Sequence, residues 1–464
     1  MPALWTRDAL LQATGGRLVG TMGASIGSVS IDSRELGPDA LFVAIKGDRF
    51  DGHDFVAQAL ANGAAVALVS EGRGEEPGCI VVPDALEGLR NLARAARARS
   101  GALVVGVTGS VGKTTTKEAI RTVLEAAGPT HASIKSFNNH WGVPLMLARM
   151  PAEARFGVFE MGMNAAREIA PLSKLVRPHV AVITNVAAAH LENLGSLEAI
   201  AAAKAEIFEG LEPGGTAVLN ADHPQIGLLL EAARKTGVER VITYGFAEGC
   251  DWRILEAELG AEGSSATLER NGERFAFRLN TPGRHMVVNA VAALIVAELA
   301  GMEREAAITA LAGFGAQPGR GQRLLMGDPE RPLLLIDESY NANTASMTAA
   351  LDVFAAQLAP NGRKVLVLGD MRELGAQSAA LHASLADAVL RSGAERIYLV
   401  GSEMAALAAA LGPERVACHT QTAAEMGMIV RNDLASGDAV MIKGSNGVGL
   451  TGVVETIRGH FNQK

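Results

Sequence analysis

Residues 108–117 read Thr-Gly-Ser-Val-Gly-Lys-Thr-Thr-Thr-Lys and follow directly on the apolar run 103–107. A buried strand running into glycines and then Lys-Thr is the order that a phosphate cradle needs. Thr108, Gly109, Ser110, Val111 and Gly112 make the loop, and its two glycines let backbone N–H groups come close to an anion. Lys113 adds a compact positive charge. Thr114 offers a hydroxyl to a magnesium ion, and Thr115 falls in the first turn of a helix whose positive end faces the phosphates. The spacing departs from the usual nucleotide loop, which would place a glycine at Val107. A flexible glycine-rich turn before an ordinary helix is the plainer alternative, but strand, loop, Lys-Thr and helix all occur here in the required sequence. The chain is expected to bind ATP and to cleave it.

Four further clusters could take part. Glu160 closes the strand-like run 156–160, and a carboxylate at a strand end beside bound ATP suits Mg²⁺, which prefers carboxylate and phosphate oxygens. His190 follows the run 180–184 by six residues, and Lys204 lies in an alanine-rich, helix-like segment. Taken alone, such a histidine is more often structural and such a lysine more often solvated. Asn289 sits in the first turns of an alanine-rich helix entered through Pro282-Gly283-Arg284-His285, where it can cap the helix or read a base edge. The stretch Asp337-Glu338-Ser339-Tyr340-Asn341-Ala342-Asn343 directly follows the run 333–336, and its packed polar groups suit nucleotide or substrate contact.

The elements that must position these residues are legible as alternating patterns. Residues 1–84 show short apolar runs (29–31, 41–45, 65–69, 79–82) and one helical stretch, 54–62: a small α/β domain. A helix over 86–99 follows, with Arg94, Arg97 and Arg99 expected on a solvated face. Residues 85–325 alternate strands (103–107, 156–160, 180–184, 216–219, 241–244) with helices, which implies βαβ units and a largely parallel sheet. Residues 326–464 repeat the pattern with strands at 333–336, 365–368, 397–400 and 439–442, and with helices at 347–358 and 378–392. Loops 369–371 and 443–446 follow strand ends, where doubly wound folds place ligands. The fold class is therefore α/β in three domains, with a central parallel-sheet ATP-binding domain carrying the P-loop and a Rossmann-like C-terminal domain.

Bulk properties agree. The 464 residues are enough for about three domains of ~150 each. A net charge of −8 argues against a basic nucleic-acid surface. Cys79, Cys250 and Cys418 have no metal-ligand spacing and no disulfide pattern, which fits a reducing compartment. The N-terminus lacks a signal-peptide pattern and no apolar run reaches 18 residues, so no membrane span and a cytoplasmic location are expected. A monomer is the default.

In this order and spacing the clusters resemble the Mur ligase family of ATP-dependent amide-forming enzymes. The resemblance covers the whole chain and rests on the loop 108–116, Glu160, the His190 and Lys204 region, His285 with Asn289, Gly319-Arg320 and Asp337. Three stretches are similar to the branch that adds D-alanyl-D-alanine. They are Asp32-Ser33-Arg34 with 47–55, Asn138-Asn139-His140-Trp141-Gly142-Val143-Pro144, and 337–343 with Gly369-Asp370-Met371-Arg372-Glu373. The Tyr-Ala-His and Asp-Asn-Pro-Arg stretches of the related ligase for the third peptide residue are absent. Three positions depart from the family: Met286 stands where Asn is common, Thr344 where Pro is usual, and Asn446 where an arginine commonly follows Lys-Gly-Ser.

The resemblance implies ATP, Mg²⁺, a UDP-N-acetylmuramoyl-tripeptide and D-alanyl-D-alanine as ligands, with an acyl phosphate between the two half-reactions. It implies Lys113, His190 and Lys204 in catalysis, and Thr114, Glu160, His190 and Lys204 around metal. Lys204 would carry a CO₂-derived carbamate, which turns a repelling ammonium into a carboxylate-like ligand. Asn289, Arg320 and Asp337 would serve ATP, the last through ribose hydroxyls. Ser33, Arg34, His53, Asn138 and Asn139 would serve the UDP-linked donor. Two other classes stay open at this level. A folate polyglutamate ligase shares the loop and carbamate patterns but generally lacks a UDP-reading first domain. A non-catalytic ATP switch would need neither an acidic metal cluster nor a third substrate domain.

Overall fold

The computed structural model describes residues 3–462 apart from 38, 75, 360 and 361. Three sheets organise it, and each is built from apolar runs short enough to be strands and separated by helices that cover their faces. In the first unit the order is Arg17–Val19, Cys79–Val82, Ala64–Ser70, Ala40–Val43, Ser28–Ser30, parallel except for the Arg17–Val19 edge. A two-stranded ribbon, Trp5–Thr6 with Ser25–Ile26, sits beside it.

The central sheet has nine strands. Its parallel part runs Arg240–Gly245, Thr216–Asn220, Val180–Ile183, Leu103–Thr108, Phe156–Glu160, Thr130–Ala132. Leu103–Thr108 is buried almost throughout because helices cover both faces, which is why it reads as a continuous apolar run. The chain leaves this strand toward one side of the sheet and later returns on the other. The crevice at that reversal, outside the strands' C-terminal ends, is where such sheets bind ligands. The expectation of a largely parallel sheet missed an antiparallel meander, Trp252–Leu259, Ser264–Arg270 and Glu273–Leu279, appended at the far edge. These strands alternate apolar and charged residues because one face is solvated.

The third sheet runs Gln322–Met326, Leu333–Glu338, Ala439–Lys443, Lys364–Gly369, Arg396–Val400, Val416–Thr420. Its first strand pairs antiparallel with the second, so the boundary expected between 325 and 326 cuts a strand and the third unit begins before Gln322. The helix expected over 378–392 is two helices, Ser378–Ala383 and Ala386–Arg391. Just before the break a side chain competes for a backbone carbonyl of the first helix: Ser384 Oγ donates to Leu381 O at 2.7 Å.

The first and central units share one continuous core, from Trp5 and Leu41 through Leu89 to Met146 and Ile183. Helix Ala85–Arg99 lies at this seam. Its arginines do not form the expected solvated face. Arg97 is buried and donates to the carbonyls of Val176 and Arg177, and Arg99 stacks 3.4 Å over the Trp5 ring. Only Arg94 of the three is exposed. The third unit has its own cores and meets the central unit through loops that follow its strands and through the end of helix Thr344–Ala355.

Candidate active site

The loop between Leu103–Thr108 and helix Lys113–Ala127 has the shape its sequence demands. Gly109 (φ 153°) and Gly112 (φ 83°) hold conformations that side chains disfavour. A Cβ at Gly109 would collide with Thr184 Oγ1, and one at Gly112 would lie 2.8 Å from Asn289 Oδ1. The cradle is therefore closed around backbone. The helix begins at Gly112 with no side-chain cap and no acidic residue in its first turn, which leaves its N–H groups facing outward. Neighbouring residues brace the loop. Ser110 N donates to Asn185 O at 2.9 Å, Ser110 Oγ to Ala187 O at 2.9 Å, and Thr184 Oγ1 to Val111 O. The segment that carries His190 thus holds the phosphate loop in shape. Thr108 Oγ1 is buried without a partner among the described residues.

Lys113 Nζ donates to Gly109 O at 2.7 Å. Burial pushes its pKa down, partly opposed by the Glu160 carboxylate and reinforced by Arg320. Glu160 is 2% exposed, and both its oxygens are held: Thr114 Oγ1 donates to one and Asn138 Nδ2 to the other, each at 2.8 Å. A carboxylate and a hydroxyl side by side at the phosphate loop are hard oxygen donors of the kind Mg²⁺ takes, so this pair fits that ion. Asn139 also has a structural part. Its Oδ1 accepts from Gly142 N at 2.9 Å and steadies the start of helix Gly142–Ala148.

Lys204 is 2% exposed, in helix Leu197–Ala205. Its side-chain amine makes no hydrogen bond or ion pair among the described residues. Burial, with the charge of Lys113 added, drives its pKa well below that of a free lysine. His190 holds a left-handed backbone (φ 57°), and its Nδ1 contacts Glu373 Oε2 of the third unit. Glu373 is itself left-handed (φ 65°), and its carbonyl accepts from Glu192 N at 3.2 Å. The His190 contact holds the Glu373 carboxyl below its ordinary pKa. In the sequence Glu373 stands within a motif but carries no assigned role. Its place in a loop directly after a strand end was the available signal.

The ATP-side residues divide. Asn289 is buried on helix Arg284–Leu299 and packs against Gly112. The Arg320 guanidinium stacks 4.0 Å over the Tyr340 ring, and Tyr340 OH bonds Ser136 Oγ of the central unit. Asp337 is already engaged within the chain. One oxygen accepts from Gly319 N at 3.0 Å, the other from Ser339 N and Oγ, so the carboxylate steadies the turn that carries Arg320.

In the first unit Ser33 is buried, and Arg34 is exposed with its fork closed on Asp32 at 2.9 and 2.7 Å. His53 differs from expectation as well. Its Nδ1 lies 2.6 Å from Asp51 Oδ1 and its Nε2 accepts from Ser70 N at 2.9 Å. Both ring nitrogens are occupied in holding the loop.

Set beside known proteins, the chain matches three family descriptions in order. They are the Mur ligase family, catalytic domain, over residues 25–98; the Mur ligase middle domain over 107–297; and the Mur ligase, glutamate ligase domain over 319–446. It is 35% identical over 455 residues to the UDP-N-acetylmuramoyl-tripeptide–D-alanyl-D-alanine ligase of Escherichia coli (strain K12), covering 98% of each chain. To the ligase of the same name from Bacillus subtilis (strain 168) it is 35% identical over 439 residues, 93% of each. Among solved structures it is similar to MurF from Acinetobacter baumannii, with TM-score 0.84 and 32% identity over 98% of this chain and 99% of that one. It is also similar to MurF ligase from Thermotoga maritima in complex with ADP, with TM-score 0.78 and 27% identity over 94% and 98%.

Proposed function

The chain belongs to the Mur ligase family, and from that premise we propose how its residues carry out the ligation. It is an ATP-dependent amide ligase that joins D-alanyl-D-alanine to UDP-N-acetylmuramoyl-tripeptide, giving the UDP-muramoyl-pentapeptide, ADP and phosphate. A carboxylate becomes an electrophile only when one oxygen is made a leaving group. The γ-phosphate of ATP passes to the tripeptide carboxylate, the dipeptide amine attacks the acyl phosphate, and phosphate departs.

Two anions must meet, so the site must supply cations. The uncapped helix start and Lys113 hold the migrating phosphoryl oxygens. Thr114 and Glu160 would hold one Mg²⁺, and His190 with carbamylated Lys204 a second. The ion, when bound, neutralises phosphoryl and carboxylate charge. Asn138 orients Glu160 through its 2.8 Å hydrogen bond and would serve the donor from there. Arg320 and Asp337 serve the nucleotide, with Asp337 steadying the turn beside Arg320 and Asn289 lining the cradle. Ser33 and Arg34 serve the UDP end, on a loop that His53 holds from behind. The incoming dipeptide meets the third unit's strand ends. A UDP-linked substrate and ATP suit a cytoplasmic setting, and among the described residues no helix is long and apolar enough to cross a membrane.

The observation that carries the carbamate is Lys204 itself. A buried amine with no counter-ion among the described residues, beside another cation, has its pKa driven well down, which favours the neutral amine, the form that adds CO₂. Lys204→Arg keeps a long cation but forms no stable carbamate, so it should be nearly inactive. Lys204→Ala should be inactive too and regain part of its activity with acetate or propionate. Enzyme equilibrated with ¹³C-bicarbonate should give a carbamate carbon signal that Lys204→Arg lacks. Full activity of Lys204→Arg would falsify the assignment.

A further inference from the structure

Arg372 takes no part in the reaction as described, yet its surroundings are built with care. It lies in the loop after strand Lys364–Gly369, beside the loop after the neighbouring strand Ala439–Lys443. The backbone on both sides is pinned: Met371 N donates to the buried His382 Nε2, and Arg372 N donates to Ser445 Oγ, each at 2.9 Å. Ser445 N in turn donates to Asp370 O at 3.0 Å. The guanidinium rests against Gly447; a Cβ at Gly447 would lie 2.7 Å from Arg372 Cζ and collide with Nη1. Gly447 does not hold a left-handed φ, so its want of a side chain there is a matter of space.

Three loops meet at this edge, 338–344, 369–375 and 443–449, and they carry two cations. Lys443 is buried and neutralised by Glu338 at 3.1 Å. Arg372 is exposed, and its guanidinium makes no hydrogen bond or ion pair among the described residues. The next residue, Glu373, touches His190 of the central unit, so Arg372 stands at the mouth of the reaction centre. The position after Lys-Gly-Ser, Asn446, carries no cation, and the Arg372 head lies next to it.

We propose that Arg372 is the specificity residue for the incoming dipeptide, its planar fork taking the dipeptide's C-terminal carboxylate and filling the place left without charge at Asn446. The inference rests on the ligase reading above. A guanidinium pairs with a carboxylate through two parallel hydrogen bonds, which fixes orientation as well as charge. Anchored by its carboxylate, the dipeptide presents its amine toward the acyl centre near His190.

The test uses the full-length enzyme, ATP, the UDP-linked donor, and two acceptors: D-alanyl-D-alanine and its C-terminal amide, D-alanyl-D-alaninamide. The unmodified enzyme should favour the acid in kcat/KM. Arg372→Ala should raise the KM for the acid roughly 10- to 100-fold, the loss expected for a charge-assisted contact. The KM values for ATP and donor should stay within about twofold, and the preference for acid over amide should vanish. Arg372→Lys, which keeps the charge without the fork, should fall between. Asn446→Arg in the Arg372→Ala background should restore part of the preference. An unchanged acid-to-amide ratio in Arg372→Ala, or a KM for ATP that rises in equal measure, overturns the assignment. No turnover of the dipeptide by the unmodified chain overturns the ligase reading and this assignment with it.

Discussion

His131 shows at the scale of one residue how burial turns a sequence position into a pH response. It sits on strand Thr130–Ala132 with Nε2 2.7 Å from Met146 O and its ring against Phe159. That contact ties the edge strand to helix Gly142–Ala148, which follows the Asn138-Asn139 strap. Burial pushes its pKa down to about 4, from 6.5. Between those values the unfolded chain binds a proton that the folded chain refuses. The folded state therefore keeps its stability above pH 6.5 and loses it as pH falls toward 4, by up to about 3 kcal/mol. His131→Gln, which keeps a donor for the Met146 carbonyl, should melt with a shallower dependence on pH between 7 and 4. Parallel melting curves for the two proteins across that range would remove His131 from the account.

At the scale of elements, helix Ala85–Arg99 joins two units because its arginines reach across the seam. Arg97 satisfies the Val176 and Arg177 carbonyls at 2.8 and 2.9 Å, where helix Ile169–Val176 ends, and approaches Glu212 at 3.4 Å. Arg97→Leu would leave those buried acceptors without a donor, at a cost of about 2–4 kcal/mol. Arg94→Leu, on the exposed face of the same helix, should stay within about 0.5 kcal/mol. Chemical denaturation of the two variants beside the parent checks this, and equal midpoints would mean that Arg97 contributes no more than a surface arginine.

At the scale of the molecule, the first and central units form one body with a shared core. The third is held to them by Tyr340 on Ser136, Glu373 on His190, and Gln357 Nε2 on Ala261 O at 2.8 Å. Polar contacts of this kind, at strand ends and a helix end, are what a closing domain can make and release. Tyr340→Phe combined with Glu373→Ala should enlarge the small-angle scattering envelope of the ligand-free chain. Saturating ATP analogue and donor should recover part of the compaction. An envelope indistinguishable from the parent's without ligands would show that other contacts hold the third unit in place.

The phosphate loop was legible at Thr108–Thr115 because its function is local: glycines, lysine and threonine at fixed offsets after a buried strand act through backbone geometry that neighbours in sequence set. The α/β alternation was legible for the same reason, since burial on two faces writes itself as apolar runs. The meander at 252–279 hid because a half-solvated strand dilutes its apolar signal with charge. The strand Gln322–Met326 hid because its partner defines it. Arg97 was misread because a charged side chain looks the same in sequence whether water or a distant carbonyl satisfies it, and the intrachain partners of Asp337 and His53 were hidden for the same reason. The same limit concealed Glu373 on His190 and Arg372 against Gly447. Those pairings join loops far apart in the chain, and only packing the three sheets decides which strand ends face one another.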